Sequence, residues 1–343
     1  MENISHAVIG SAIVGLLPPG THPAVAWGIV VGAEIPDIDI VIRFWRGQLG
    51  YLRNHRGPTH GLAVMPVWAA AITLVLGLFW RNAPLAQVFV WTLLGVLSHL
   101  LFDFTNDYGT QGLWPFSRRW IAMDLVPLSD VYLLAIIGVG WLLSAFMPAH
   151  RQLIFVGVWL VLAAEVGLRF VLRRRAARLV QERFNLPGDE GEAAPSGPGW
   201  RNEGLGIHPT LFSLNAWRYV VRAPGEYLVG MVWLRDGRVS EPHRARNNWD
   251  KVVQASLQSE IVTAFAGWVR QPRVTVERKA EKYLVRWSEM RYEGGGFSPF
   301  TAYAWLDESL KVLDEGLGKQ RPEGMDREML RRRLHQEMGR RER

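Results

Sequence analysis

His55-Arg56-Gly57-Pro58-Thr59-His60 and, beyond an apolar stretch, His99-Leu100-Leu101-Phe102-Asp103 place histidines and a carboxylate at the borders of long apolar runs. Between them lie two apolar runs, Leu62 to Trp80 and Pro84 to Phe102, joined by the short turn Arg81-Asn82-Ala83. Each run approaches the ~20 residues that cross a bilayer as a helix. Imidazoles and carboxylates at the ends of such helices need partners, because an unpaired polar group beside hydrocarbon is expensive. His99 and Asp103 are four apart, so a helix carries both on one face. Imidazoles of the first motif can meet them across the helix pair. Neutral nitrogen and anionic oxygen together suit a divalent metal such as zinc.

Two shorter apolar segments precede this pair. Ala7–Leu17 and Pro23–Ile35 are joined by Pro18-Pro19-Gly20 and are each about half a membrane span. They read as a helical hairpin that enters or lies on the membrane without crossing it. Its open end gathers His6 and the acidic stretch Glu34-Ile35-Pro36-Asp37-Ile38-Asp39. Val131–Met147 and Leu153–Leu172 read as a second spanning pair, joined by Pro148-Ala149-His150-Arg151, with Glu165 and Arg169 spaced to pair. Many of the 16 Trp lie near the ends of apolar runs, where membrane interfaces favour them.

Arginines set the expected orientation. Arg173, Arg174, Arg175 and Arg178 follow the last span, which should therefore end in the cytoplasm. Counting four spans backward puts Arg43, Arg46, Arg53, Arg56, Arg118 and Arg119 inside, and Arg81 and Arg151 outside. The site residues and the C-terminal domain then face the cytoplasm of a multi-pass inner-membrane protein.

The 343 residues carry a net charge of +7 and a mean hydropathy of +0.03 with 21% charged residues, an average of two unlike halves. The expected architecture is mainly α. A polytopic helical membrane domain (1–178), with a short N-terminal helical hairpin, is followed by a linker (179–200), a small soluble α+β domain (201–322) and a charged tail (323–343). Strands are expected at Trp217–Val221, Tyr227–Leu234, Arg273–Glu277, Tyr283–Trp287 and Phe300–Leu306, a helix at Asn248–Val269, and a turn at Gly294-Gly295-Gly296. The absence of cysteine excludes disulfides and thiolate ligands, so any metal is held by His, Asp or Glu. No basic stripe with interleaved aromatics points to nucleic acid; the expected partner is the lipid bilayer, and the oligomeric state is left open.

The metal-ligand candidates are His6, Glu34, Asp37, His60, His99, Asp103 and Asp130, the last with a competing role as a helix N-cap. Asp39 is the expected proton acceptor, Arg56 the residue that neutralises a bound phosphate, and His55 a group that orients a ligand or contacts substrate. Asn106, Tyr108 and Thr110 are candidates for a pocket lining. The set exceeds what one tetrahedral zinc uses, so some residues support others or there are two or more ions.

On these residues the chain resembles the YdjM-type family of membrane-bound metal-dependent hydrolases. The matching pieces are Ser5-His6, Pro36-Asp37-Ile38-Asp39, His55-Arg56-Gly57-Pro58-Thr59-His60, His99-Leu100-Leu101-Phe102-Asp103, Tyr108-Gly109-Thr110, Leu113-Trp114-Pro115-Phe116, and Met123-Asp124 with Asp130. The resemblance covers roughly residues 1–172. That family is in turn distantly similar to zinc-dependent phospholipase C and S1/P1-type nucleases. It implies His6, Asp37, His60, His99 and Asp103 as ligands. Two functions are carried forward. One is a hydrolase cleaving a phosphoester, lipid-borne or not, with a metal-activated water. The alternative is a non-enzymatic membrane protein with a structural metal site and a partner-binding cytoplasmic domain.

Overall fold

Pro18, Pro19 and Gly20 break the first apolar run, and two 12-residue helices result, α1 (Asn3–Val14) and α2 (Pro23–Glu34). His22 caps α2 by accepting the Ala24 amide at 3.2 Å, and Pro23 takes the first turn, where no amide partner is needed. At ~1.5 Å per residue each helix is about 18 Å long, too short to cross a bilayer. A 3₁₀ stretch, Ile35–Val41, leads into α3 (Ile42–Asn54), which is broken at Gly47 where φ is 63°. Then come α4 (Met65–Phe79), α5 (Leu85–Thr105), α6 (Val131–Phe146) and α7 (Arg151–Phe184). The computed structural model describes residues 3–186, 204–246, 249–293, 298 and 300–318.

Among the described residues three helical stretches are long and apolar enough to cross a membrane: Leu62–Phe79, Leu85–Thr105 and Pro148–Phe184. Their outward faces are apolar, as lipid requires: Leu74, Leu78, Val90, Leu94, Leu153 and Leu160 are all exposed. The fourth expected span, Val131–Met147, falls short of that length although it connects the face where α5 ends to the start of α7. Helix α6 has 16 residues, about 24 Å, against a hydrocarbon core of ~30 Å. Asp130 starts it by accepting the Tyr132 and Leu133 amides, and Pro148 stops its continuation. Internal contacts still fix where α7 ends. Arg151 at its start donates to Leu17 O, whereas Arg169 near the end of its apolar part reaches Leu125 O and pairs with Asp130 at 2.6 Å and with Glu165. Residues 125–130 follow α5, so α7 returns to the membrane face at which α5 ends.

The chain divides into two compact units, Met1–Trp45 with Asn54–Val171, and Arg46–Arg53 with Leu172–Arg343. In the first, Ile9, Ala12, Leu133, Ile137, Phe155 and Leu162 form one core, and Ile13, Val25, Ile29, Ile72 and Val88 another. Helices α2 and α5 meet on small residues: a Cβ on Gly95 would sit 2.4 Å from Ile29 O, and one on Gly32 2.7 Å from Thr92 O.

The second unit is built from antiparallel strands. β1 (Leu205–Pro209), β2 (Ala216–Ala223), β3 (Glu226–Trp233) and β4 (Arg238–Val239) pair in that order, and β5 (His243–Arg246) also pairs with β3. Ala176 and Val180 of α7 pack against Trp217, Tyr219 and Val221 of this sheet. After α8 (Lys251–Ser256) and α9 (Glu260–Trp268), the meander β6 (Pro272–Lys279), β7 (Lys282–Glu289), β8 (Thr301–Asp307) and β9 (Val312–Gly318) forms a second sheet. The expected single helix over 248–269 is two, because Ser259 ends the first by opening the next, its hydroxyl accepting the Val262 amide. The expected glycine turn at 294–296, most of the linker and the charged tail lie outside the described residues.

Candidate metal centre

The HRGPTH segment is held in shape by one carboxylate. Asp39 Oδ2 accepts the Arg56 amide at 2.7 Å and the Thr59 hydroxyl at 3.3 Å, while Oδ1 bonds His55 Nδ1 at 3.0 Å. Arg56 adopts a φ of 53°, a left-handed conformation that the Asp39 bond to its amide and the Gln111 amide bond to its carbonyl (2.9 Å) sustain. Pro58 then starts a single 3₁₀ turn that ends on His60. Burial alone pushes the Asp39 carboxyl up, but the bonds from His55 and the Arg56 amide more than offset this and hold it below the usual carboxylate range.

Alternation in the 3₁₀ stretch Ile35–Val41 turns Asp37 and Asp39 inward, with Ile38 and Ile40 exposed. Both carboxylates face the interior. On α5, His99 and Asp103 lie one turn apart and fully buried. These elements meet at a point. His60 Nε2 lies 3.1 Å from His99 Nε2, 3.4 Å from Asp103 Oδ2 and 3.3 Å from Asp37 Oδ1. His99 Nε2 lies 3.5 Å from Asp103 Oδ2 and 3.8 Å from Asp37 Oδ1. Donors bound tetrahedrally at about 2.0–2.1 Å are spaced by roughly 3.3–3.4 Å, and the His60–His99–Asp103 separations of 3.1, 3.4 and 3.5 Å match one face of such a tetrahedron.

Tautomers sharpen the point. His99 Nδ1 lies 2.6 Å from Ala33 O, an acceptor only, so Nδ1 carries the proton and Nε2 a lone pair. His60 Nδ1 donates to Thr59 Oγ1 at 3.0 Å, leaving its Nε2 a lone pair as well. Two lone pairs facing each other at 3.1 Å, with two carboxylate oxygens beside them, repel unless a metal ion or a proton on His60 lies between. The arrangement fits a metal ion, whose histidine ligands characteristically donate their other N–H to a carbonyl or a hydrogen-bonded neighbour.

His6 stacks on His99, with ring centroids 3.7 Å apart and an 18° angle, and its Nε2 lies 3.3 Å from Asp103 Oδ1. Neither of its ring nitrogens makes a hydrogen bond. Two groupings of donors therefore lie within 4.8 Å, His60–His99–Asp103 and His6–Asp37–His99. They share His99, which has one lone pair to give, so they are alternatives around one ion more than two separate sites.

The other expected residues fall elsewhere. Glu34 belongs to neither grouping; it lies beside Asp37, and burial pushes its carboxyl up to about 7. Asp130 is removed from the ligand set, since its oxygens cap α6 and pair with the buried Arg169. Arg56 is buried, not offered to a phosphate: its Nη1 lies 3.2 Å from Asp103 Oδ1 and 3.3 Å from Gly109 O, and its guanidinium stacks 4.6 Å from the Tyr108 ring centroid. Asn106 donates to Asp103 Oδ1 at 3.0 Å and accepts the Tyr108 and Gly109 amides, and Thr110 donates to Arg56 O, so these residues brace the centre. Sequence reasoning missed Thr59 and the Ala33 carbonyl. Thr59 stood inside the motif as a legible signal, whereas a backbone carbonyl leaves none.

The glycine seam carries the geometry. Ala33 O reaches His99 across the α2–α5 contact one turn from Gly95. Gly95→Val should therefore deplete bound metal without touching a ligand; metal content of the purified variant checks this, and full occupancy would separate the seam from the site.

A family model described as YdjM inner membrane protein matches residues 1–176, and one described as YfhP C-terminal alpha/beta plait domain matches residues 251–329. The chain is 28% identical over 337 residues to "Uncharacterized protein YfhP" of Bacillus subtilis (strain 168), covering 93% of this chain and 95% of that protein. It is 29% identical over 134 residues to "Inner membrane protein YbcI" of Escherichia coli (strain K12), covering 37% of this chain and 77% of that one. No solved structure matches.

Proposed function

The chain belongs to the YdjM inner membrane protein family, and from this premise we propose that it is a membrane-bound, metal-dependent hydrolase of phosphoesters. The observation that carries the reading is the pair of imidazole lone pairs at 3.1 Å, flanked by Asp37 and Asp103. His60, His99, Asp37 and Asp103 would hold one divalent ion, zinc by the chemistry of its donors, with His6 able to replace one of them. When bound, the ion supplies Lewis acidity and a water acidified toward neutral pH. Burial pushes the Asp37 carboxyl up, but the His60 bond and the Arg56 charge more than offset this and keep it well below the usual range, so it is an anion ready to ligate.

His55 is the part of this network that reaches the surface, with its side chain 16% exposed. Held by Asp39, it is placed to take a proton from an attacking water, the role expected of Asp39 itself; Asp39 instead orients it. Arg56 offsets the Asp103 charge so that the centre stays cationic when loaded. The arginine asymmetry between the two membrane faces argues that the site opens to the cytoplasm.

One observation favours a second reading, a structural ion: the two groupings offer five side-chain donors between them, and a site saturated by protein ligands has no place for water. The experiment is hydrolysis of bis(p-nitrophenyl) phosphate and of phospholipid vesicles by the purified full-length protein, with and without chelator. Chelator-sensitive turnover is expected, and Asp39→Asn should lower it by about 10²–10⁴-fold with less effect on metal content. A metal-loaded protein inert toward both substrates would favour the structural ion.

A further inference from the structure

Two segments flank the cluster on the membrane face where it lies. Residues 38–45 begin one residue after Asp37, and residues 113–123 follow the end of α5 by eight positions. Both expose large apolar side chains that no core receives: Ile38 43%, Ile40 46%, Phe44 83% and Trp45 79% in the first, Phe116 90% and Met123 48% in the second. Beside them stand the exposed Arg43, Arg118 and Arg119. The only acid in either segment is Asp39, which is buried. Water-exposed Phe and Trp at this density are unfavourable on a surface meant for solvent. Aromatic rings with arginines, without acids, are the composition of the headgroup layer.

We propose that residues 38–45 and 113–123 form an interfacial collar that seats in the headgroup layer of an anionic bilayer. Depth fits: His60 lies two residues before the first span and Asp103 two residues before the end of the second. The collar therefore starts where the hydrocarbon ends, continuous with the apolar faces of α4 and α5. Phe and Trp insert to the level of the glycerol backbone, and the arginines meet lipid phosphates. The surface stands on exposure, charge and position, and does not depend on whether the cluster turns over a substrate.

The chain has no cysteine, so a single introduced one carries a fluorophore uniquely. Trp45→Cys and Phe116→Cys, each labelled with an environment-sensitive dye, would be placed as full-length protein in nanodiscs of phosphatidylcholine, with or without phosphatidylglycerol. Glu281→Cys, on an exposed hairpin of the other unit, serves as the aqueous control, and circular dichroism checks that each variant is folded. Labels at 45 and 116 should be quenched by lipids brominated near the headgroup and be several-fold less accessible to iodide than the control. Phosphatidylglycerol should strengthen this, and Arg118→Glu with Arg119→Glu should abolish the strengthening. Iodide accessibility equal to the control at both positions would overturn the collar, and indifference to phosphatidylglycerol would overturn its anionic specificity.

Discussion

His99→Ala is expected to strip the protein of its ion. The substitution removes a donor common to both groupings and breaks the bond to Ala33 O that ties α5 to α2 at the site. Replacing a residue that only orients a ligand typically weakens metal affinity by about 10–100-fold, and loss of a ligand should exceed that. His60→Ala should behave alike, because its Nε2 is the closest neighbour of the His99 lone pair. Elemental analysis of the two variants beside wild type checks the point. Near-stoichiometric metal in both would exclude the imidazole pair as the ligand core.

Arg56→Leu is expected to destabilise the membrane unit by about 3–5 kcal/mol, the usual loss when one partner of a buried ion pair is removed. Arg56 and Asp103 are both buried and 3.2 Å apart, so truncating the arginine leaves a carboxylate uncompensated. Saturating zinc should recover part of the loss, since a bound ion neutralises the same carboxylate and binds only the folded state. Thermal unfolding of the detergent-solubilised variant with and without zinc measures both effects. An unchanged midpoint would mean that the Asp103 charge is balanced by other groups.

Helices and ligands were legible to different degrees, for physical reasons. Apolar runs and their breakers give the α1–α2 hairpin and both spans around the cluster directly, because lipid permits little else. Helix α6 is shorter than its apolar run suggests, because the Asp130 cap and Pro148 limit its length. His60, His99, Asp37 and Asp103 were readable as donors from residue type and spacing. Asp130 was not separable from them, since its partner Arg169 lies 39 positions away in sequence. Arg56 illustrates the same limit: a guanidinium between two motif histidines reads as a phosphate ligand until Asp103 is found beside it. In the second unit the Val- and Trp-rich strands were plain. β1, with Gly206, His208 and Pro209, and β9, with Asp314, Glu315 and two glycines, were missed because their pairing, more than their composition, makes them strands.

X-ray absorption at the zinc edge of the purified full-length protein reads the ligand shell of the ion itself. About one ion per chain is expected, in a four-coordinate N/O shell at about 2.0–2.1 Å, with the multiple-scattering signature of two imidazoles. Protein that retains no ion after gentle purification and zinc addition, or an ion whose shell lacks imidazole, would contradict it.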